Sequence, residues 1–145
     1  MRKLILLITL ISLLGTVQAQ RQGIQGQVFW VSGDQMPTPI PEKAKTPQQG
    51  IVREIYIYNA ATLKDATQQD GFFSEIQTTL VAKVLSSADG SFKVKLPEGK
   101  YSVFVKEDKG LFANLYDGNG CINCITVKPR KYSWITLTVD YQAAY

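Results

Sequence analysis

Cys121 and Cys124 are the residues of this 145-residue chain whose type and spacing come closest to a reactive site. In Cys121-Ile122-Asn123-Cys124 two residues separate the thiols, the spacing of a redox dithiol or of half a metal site. A redox pair of that kind normally opens a helix, whose N-terminus stabilises the thiolate. Here the pair follows the turn-forming run Asp117-Gly118-Asn119-Gly120 and precedes Ile125-Thr126-Val127, a strand-like stretch. Lys128, Arg130 and Lys131 lie beyond that stretch. The context favours a local Cys121–Cys124 disulfide in an oxidising compartment. A redox pair and a half metal site are the alternatives.

Most other chemistry is poorly supplied. The chain has no histidine, which removes the commonest general base, the usual activator of a serine or cysteine nucleophile and the commonest metal ligand. Two cysteines cannot close a four-ligand zinc site. Asp117 and Asn119 stand two residues apart as calcium-loop ligands do, but the further acids of such a loop are missing and turn chemistry explains them. No metal, no cofactor and no catalytic residue is therefore expected. The candidate binding group is Phe112, Asn114, Tyr116, Asp117 and Asn119, two aromatic rings beside amide and carboxylate groups. Phe72-Phe73 is a further aromatic pair. Adjacent strand residues point to opposite faces, so the two are not both expected to be core. Tyr56 and Tyr58, two apart, read as one face of a strand.

The elements that would carry these residues are strands. Ile24, Gly26, Val28 and Trp30 fall on one face of an extended segment, with Gln25 and Gln27 on the other. Phe92-Lys93-Val94-Lys95-Leu96 alternates apolar with Lys, as a half-solvated antiparallel strand does. Tyr101, Val103 and Val105 continue after the turn Pro97-Glu98-Gly99-Lys100, and Ile135, Leu137 and Val139 define a last strand ending at Tyr141. Ile51–Tyr58 and Ile122–Val127 add two more. Asp89-Gly90 reads as a hairpin turn between Thr79–Leu85 and Ser91–Leu96. Gly33–Gly50, with Pro37, Pro39, Pro41 and Pro47, reads as a long loop. Thr62–Gln69 suits one polar helical turn but has no apolar face to bury. The expected fold is all-β, an antiparallel β-sandwich of about seven strands.

The N-terminal segment predicts export. Met1-Arg2-Lys3 is a basic start, Leu4–Leu14 an apolar run, and Val17-Gln18-Ala19 a small-residue cleavage site, the three parts of a signal peptide. The run is shorter than the ~20 apolar residues that a spanning helix needs. Cleavage after Ala19 would leave one domain, residues 20–145, without a membrane span. It removes two of the 16 basic residues, leaving 14 against 12 acids and a net charge of +2. Lys and Arg are scattered, never more than two in a row, so nucleic acid is not an expected partner.

Asp89-Gly90-Ser91-Phe92, followed by Leu96-Pro97-Glu98-Gly99-Lys100-Tyr101-Ser102-Val103, resembles the D-G-x-F and L-P-x-G-x-Y-x-V signature of carboxypeptidase regulatory-like domains. Gly23-Ile24-Gln25-Gly26-Gln27-Val28 is similar to their first strand, and Phe112–Gly120 resembles the small stand-alone bacterial members. The resemblance spans Gly23 to Tyr141. It implies a transthyretin-like Greek-key sandwich and a secreted or periplasmic, non-catalytic role. The expected partner is an envelope protein or a glycan. Three function classes follow. A carbohydrate-binding or adhesion module would expose its loop aromatics, a thiol–disulfide enzyme would expose Cys121, and an envelope structural component would offer a large self-complementary surface.

Overall fold

The computed structural model describes residues 21–36 and 48–145. The expected signal segment, residues 1–19, and the expected cleavage site lie outside the described residues, as do positions 37–47 of the proline-bearing loop. The described residues form eleven strands and no helix: β1 (Gly23–Asp34), β2 (Gln49–Gly50), β3 (Glu54–Asn59), β4 (Thr67–Gln69), β5 (Phe72–Ser74), β6 (Leu80–Leu85), β7 (Ser91–Lys95), β8 (Gly99–Glu107), β9 (Gly110–Phe112), β10 (Cys124–Val127) and β11 (Tyr132–Ala144). Four of them are short pieces of two or three residues, so the count exceeds the seven expected. Thr62–Gln69 forms no helix: a single hydrogen-bonded turn, Asp65 N–H to Thr62 O at 2.9 Å, leads through a bend into β4.

Two sheets pack face to face. In the four-stranded sheet β1 is central, with β11 on one side and β7 and β2 on the other. The seven-stranded sheet runs β4-β5-β9-β8-β3-β6, with β10 also paired to β8. Pairing is antiparallel except between β1 and β11, which run parallel from Gly23↔Tyr132 to Asp34↔Ala144. These two strands stand at opposite ends of the described chain, so no tight turn between them imposes an antiparallel register. Gly26 brings them close: a Cβ there would collide with the Ile135 carbonyl.

The Asp89-Gly90 turn does not make a hairpin. β6 pairs with β3 and β7 pairs with β1, so the turn carries the chain from one sheet to the other. Only Gly90 of the pair has a left-handed backbone (φ 84), whereas a two-residue type I′ hairpin needs both central residues there. The turn instead docks on β1, where the Gly90 carbonyl accepts the Val28 N–H at 2.9 Å and a Cβ would strike the Val28 carbonyl. The true type I′ turn is Asp70-Gly71 (φ 53 and 83), joining β4 and β5 with Gln69 opposite Phe72. The Pro97–Lys100 turn is likewise a crossover, from β7 into β8 of the other sheet.

Between the sheets lies the main core. Ile24 and Val28 of β1, Ile55 and Ile57 of β3, Val103 of β8 and Val139 of β11 are fully buried there. Phe72, Phe112, Trp30 and Tyr141 close it with tilted and edge-on rings, 5.0 Å apart at the nearest pair, Phe72 and Tyr141. Beneath them Glu107, buried, accepts from Arg53 Nε at 2.6 Å and from the Tyr141 hydroxyl at 3.0 Å. An acid so enclosed needs such partners. Tyr101 re-enters the core after the turn, and its hydroxyl donates to the Pro97 carbonyl at 2.7 Å.

A second, smaller core occupies the opposite face of the seven-stranded sheet. Phe73, Phe104, Leu111, Ala113 and Ile122 are buried there, with Tyr56, Tyr58, Ala66 and Ile76 packed around them. Phe72 and Phe73 do point to opposite faces, as strand geometry requires, but both faces are buried, so both rings are core. The cover is irregular chain pinned by backbone bonds: Ala60 N–H to Lys100 O (3.1 Å), Ile122 N–H to Ala61 O (2.9 Å) and Gln77 N–H to Asp65 O (2.8 Å). At the far edge of the same sheet, β6 leaves Leu80, Val81 and Leu85 substantially exposed, with Lys83 as its one charge.

Candidate functional site

The cysteines belong to the cover of the second core. After β9 the chain makes a tight turn governed by Asp117. Its Oδ1 accepts the N–H groups of Asn119 (2.8 Å) and Cys121 (2.9 Å), and its carbonyl accepts that of Gly120 (3.0 Å). The other carboxylate oxygen takes Lys100 Nζ at 2.9 Å. These donors, Lys100 first, hold the Asp117 carboxyl down at about 2. The carboxylate thus serves turn and ion pair, and turn chemistry accounts for the Asp117–Gly120 spacing.

Past the turn, the Cys121 and Cys124 sulfurs sit at disulfide-bonding distance, with Cα atoms 5.7 Å apart, inside the usual range for a bridged pair. Asn123 adopts a left-handed backbone (φ 41) that brings the two cysteines round on each other. Its side-chain oxygen accepts the Leu115 N–H at 3.1 Å, and its own N–H donates to the Leu115 carbonyl. Cys121 is only 4% exposed, bridged to Thr62, while Cys124 lies 3.3 Å from the Ser102 hydroxyl. A dithiol that exchanges with a partner needs an accessible sulfur, and the leading cysteine of this pair is enclosed.

The five candidate binding residues do not converge on one surface. Phe112 is 5% exposed and packs in the main core against Phe72 and Tyr141. Asn114 ties the cover to the margin of the other sheet, its amide donating to the Thr138 carbonyl (3.2 Å) and to Asp140 Oδ1 (2.9 Å). Tyr116 is exposed, with its hydroxyl accepting from the Gln68 amide at 3.0 Å and its ring 6.5 Å from Phe73. Asp117 and Asn119 share its loop. Phe112 and Tyr116, four residues apart, stand on opposite sides of the seven-stranded sheet. A shallow depression of about 310 Å³ lies nearby, lined by Gln69, Asp70, Phe72, Phe73, Ser74 and Lys109.

A different surface presents an aromatic ring. On β11, Ile135, Leu137 and Val139 face the main core, so Trp134 faces outward, and it is 59% exposed. Its indole N–H donates to Thr136 Oγ1 at 3.2 Å, which leans the ring along the strand. Gln25 of β1 stands beside it across the sheet, and Lys93 of β7 beside Gln25. Lys93 Nζ sits 4.1 Å from the Tyr132 ring centre, a cation–π contact on the same face. The alternation of β11 alone marks Trp134: it lies one residue out of phase with three aliphatic core positions.

Among the described residues no helix is long and apolar enough to cross a membrane, and no three metal-ligating side chains gather into a site. In comparisons with known proteins, no family model, no curated protein and no solved structure matched the chain.

Proposed function

We propose that the chain is an exported, non-catalytic binding module of the carboxypeptidase regulatory-like kind, engaging its ligand through the outer face of the four-stranded sheet. The inequality of the two outer faces carries this reading. On the seven-stranded sheet the second core and its covering chain occupy the middle of the outer face and leave only the β6 edge bare, whereas on the four-stranded sheet a large ring, Trp134, is 59% exposed. Exposed aromatic rings with satisfied polar neighbours are the residues from which binding surfaces draw most of their energy. Export is supported by the three-part N-terminal segment and by the enclosed cysteine pair, since such bonds persist in oxidising compartments. The low exposure of Cys121 counsels against a thiol–disulfide enzyme, and the burial of Phe112 weakens a sugar platform built from the Phe112–Asn119 loop.

Two measurements test this. Intact-mass analysis of protein from the native envelope is expected to find a chain beginning at Gln20; retention of residues 1–19 would make the segment an anchor. Immobilised wild type and Trp134→Ala are then exposed to envelope extract. A component retained by the first and lost by the second supports the reading, and equal retention by both moves the contact off this face.

A further inference from the structure

Resting on that reading, we propose that the Trp134 face binds an anionic polysaccharide, with the indole as a stacking plate and Lys93 and Lys95 as charge contacts. Three adjacent strands set the geometry. Trp134 of β11, Gln25 of β1 and Lys93 of β7 form one row across the sheet, and Tyr132, Gly23 and Lys95 form the next row on the same face. Neighbouring strands are about 4.8 Å apart, so the row runs about 10 Å from the tryptophan backbone to the lysine backbone. That length suits a short stretch of pyranose units better than a single small ion.

The chemistry of the row fits an acidic sugar. A pyranose ring offers a face of C–H bonds with slight positive character, which matches the negative face of an indole. The Trp134 N–H is held by Thr136, so the ring loses little freedom on binding. Gln25 supplies an amide that can both donate to and accept from ring hydroxyls. Lys93 and Lys95 are exposed on the same face, and Lys93 is steadied over Tyr132. From Gly23 to Gln27 the paired segments of β7, β1 and β11 contain no acidic side chain. A neutral glycan would leave the two ammonium groups unused. A plain polyanion would leave the indole unused.

The test uses the mature protein with polygalacturonate and dextran sulfate as probes, neutral dextran and polyglutamate as counter-probes, and calorimetry over a range of salt. Wild type is expected to bind at least one anionic polysaccharide more tightly than either counter-probe. Trp134→Ala should weaken that binding by about tenfold or more, as loss of a central tryptophan anchor does, with an unchanged thermal midpoint. The Lys93→Gln/Lys95→Gln variant should bind more weakly and with a flatter salt dependence. Lys83→Gln, on the other sheet, removes a charge without altering binding. Equal affinity of Trp134→Ala and wild type, or of polyglutamate or dextran and the best probe, overturns the proposal. Failure of wild type to bind either probe overturns it too. If an envelope component is still retained through Trp134 in that case, the ligand class is wrong and the face stands; if none is, both fall.

Discussion

Tyr101 joins two contributions that separate substitutions can resolve. Its ring is 5% exposed within the main core, and its hydroxyl donates to Pro97 O at the point where the chain changes sheets. Tyr101→Ala removes both and should cost about 3–5 kcal/mol, the range for large aromatic truncations. A domain of this size is stable by about 5–15 kcal/mol, so the loss is a large share of the total. Tyr101→Phe keeps the ring and removes only the bond. Pro97 is exposed and water can replace the lost donor, so the cost should be about 0.5–1.5 kcal/mol, towards the lower end. Urea denaturation of the three proteins gives both differences from midpoints and slopes. An alanine loss below about 1 kcal/mol, typical of surface positions, would refute the core assignment. Equal losses for Ala and Phe would refute the division between ring and hydroxyl. The two states also differ in ionisation. Burial raises the Tyr101 phenol above its ordinary 10.0, so the folded chain keeps a proton that the unfolded chain releases. This stabilisation is complete below pH 10 and disappears as pH rises through the folded value. Tyr58, Tyr141 and Tyr145 shift in the same direction, so Tyr101→Phe should lessen the alkaline loss without abolishing it.

The acid limb has the opposite sign: Asp117, held down at about 2 from 3.8, supports the fold above its unfolded value, and that support is lost as pH falls from about 4 through about 2. Asp117→Asn should flatten the fall in melting temperature across that window, and an unchanged acid profile would show that the Lys100 pair does not matter. The Cys121→Ser/Cys124→Ser variant should still fold and lose about 2 kcal/mol at most, by the loop-entropy estimate for so short a closure. Thiol labelling with and without reductant reports the bond, and insulin reduction by the wild type that vanishes in the variant would make the protein an oxidoreductase. Lys83→Val should turn β6 into a wholly apolar exposed edge and raise the aggregation rate seen by light scattering, because a charge on an edge strand discourages further pairing. An unchanged rate would mean that the edge is protected by other means.

Face assignments within single strands were legible in the sequence. The alternation around Ile24, Phe92 and Ile135 identified core and solvent faces, and the phase of Tyr101 and Val103 placed both in the core. Which sheet each strand joins was not legible, because a turn of suitable residues serves equally well as hairpin or crossover. Asp70-Gly71 and Asp89-Gly90 share a dipeptide and do different jobs, decided by whether the preceding residue also takes a left-handed backbone. The parallel β1–β11 pair comes from contacts between distant segments, on which local pattern is silent. The second core did leave a trace. In β8, Tyr101-Ser102-Val103-Phe104-Val105 is buried without a break, the mark of a strand covered on both faces, but Phe104 stood out of phase with the alternation that defined the first face. The loop aromatics failed as a group because Phe112 belongs to β9, whose inward face their proximity in sequence could not reveal.

The second core also divides the protein's resistance to unfolding. The layer over Phe73 and Phe104 is irregular chain held by a few backbone bonds, while the sandwich behind it is held by paired strands. Segments of the first kind open with less free energy than the whole. The covering layer can therefore detach while β1, β3, β8 and β11 keep their pairing, giving one chain two thresholds of opening. Amide exchange should separate them, with Ile122 and Gln77 released well before Val28, whose acceptor is the Gly90 carbonyl of the sandwich. The cysteine pair lies in the layer with the lower threshold, so a reductant meets Cys121 through this partial opening and need not wait for global unfolding. The bond's lifetime is then set by its covering layer, and the same breathing briefly uncovers two phenylalanine rings while the sandwich stays closed.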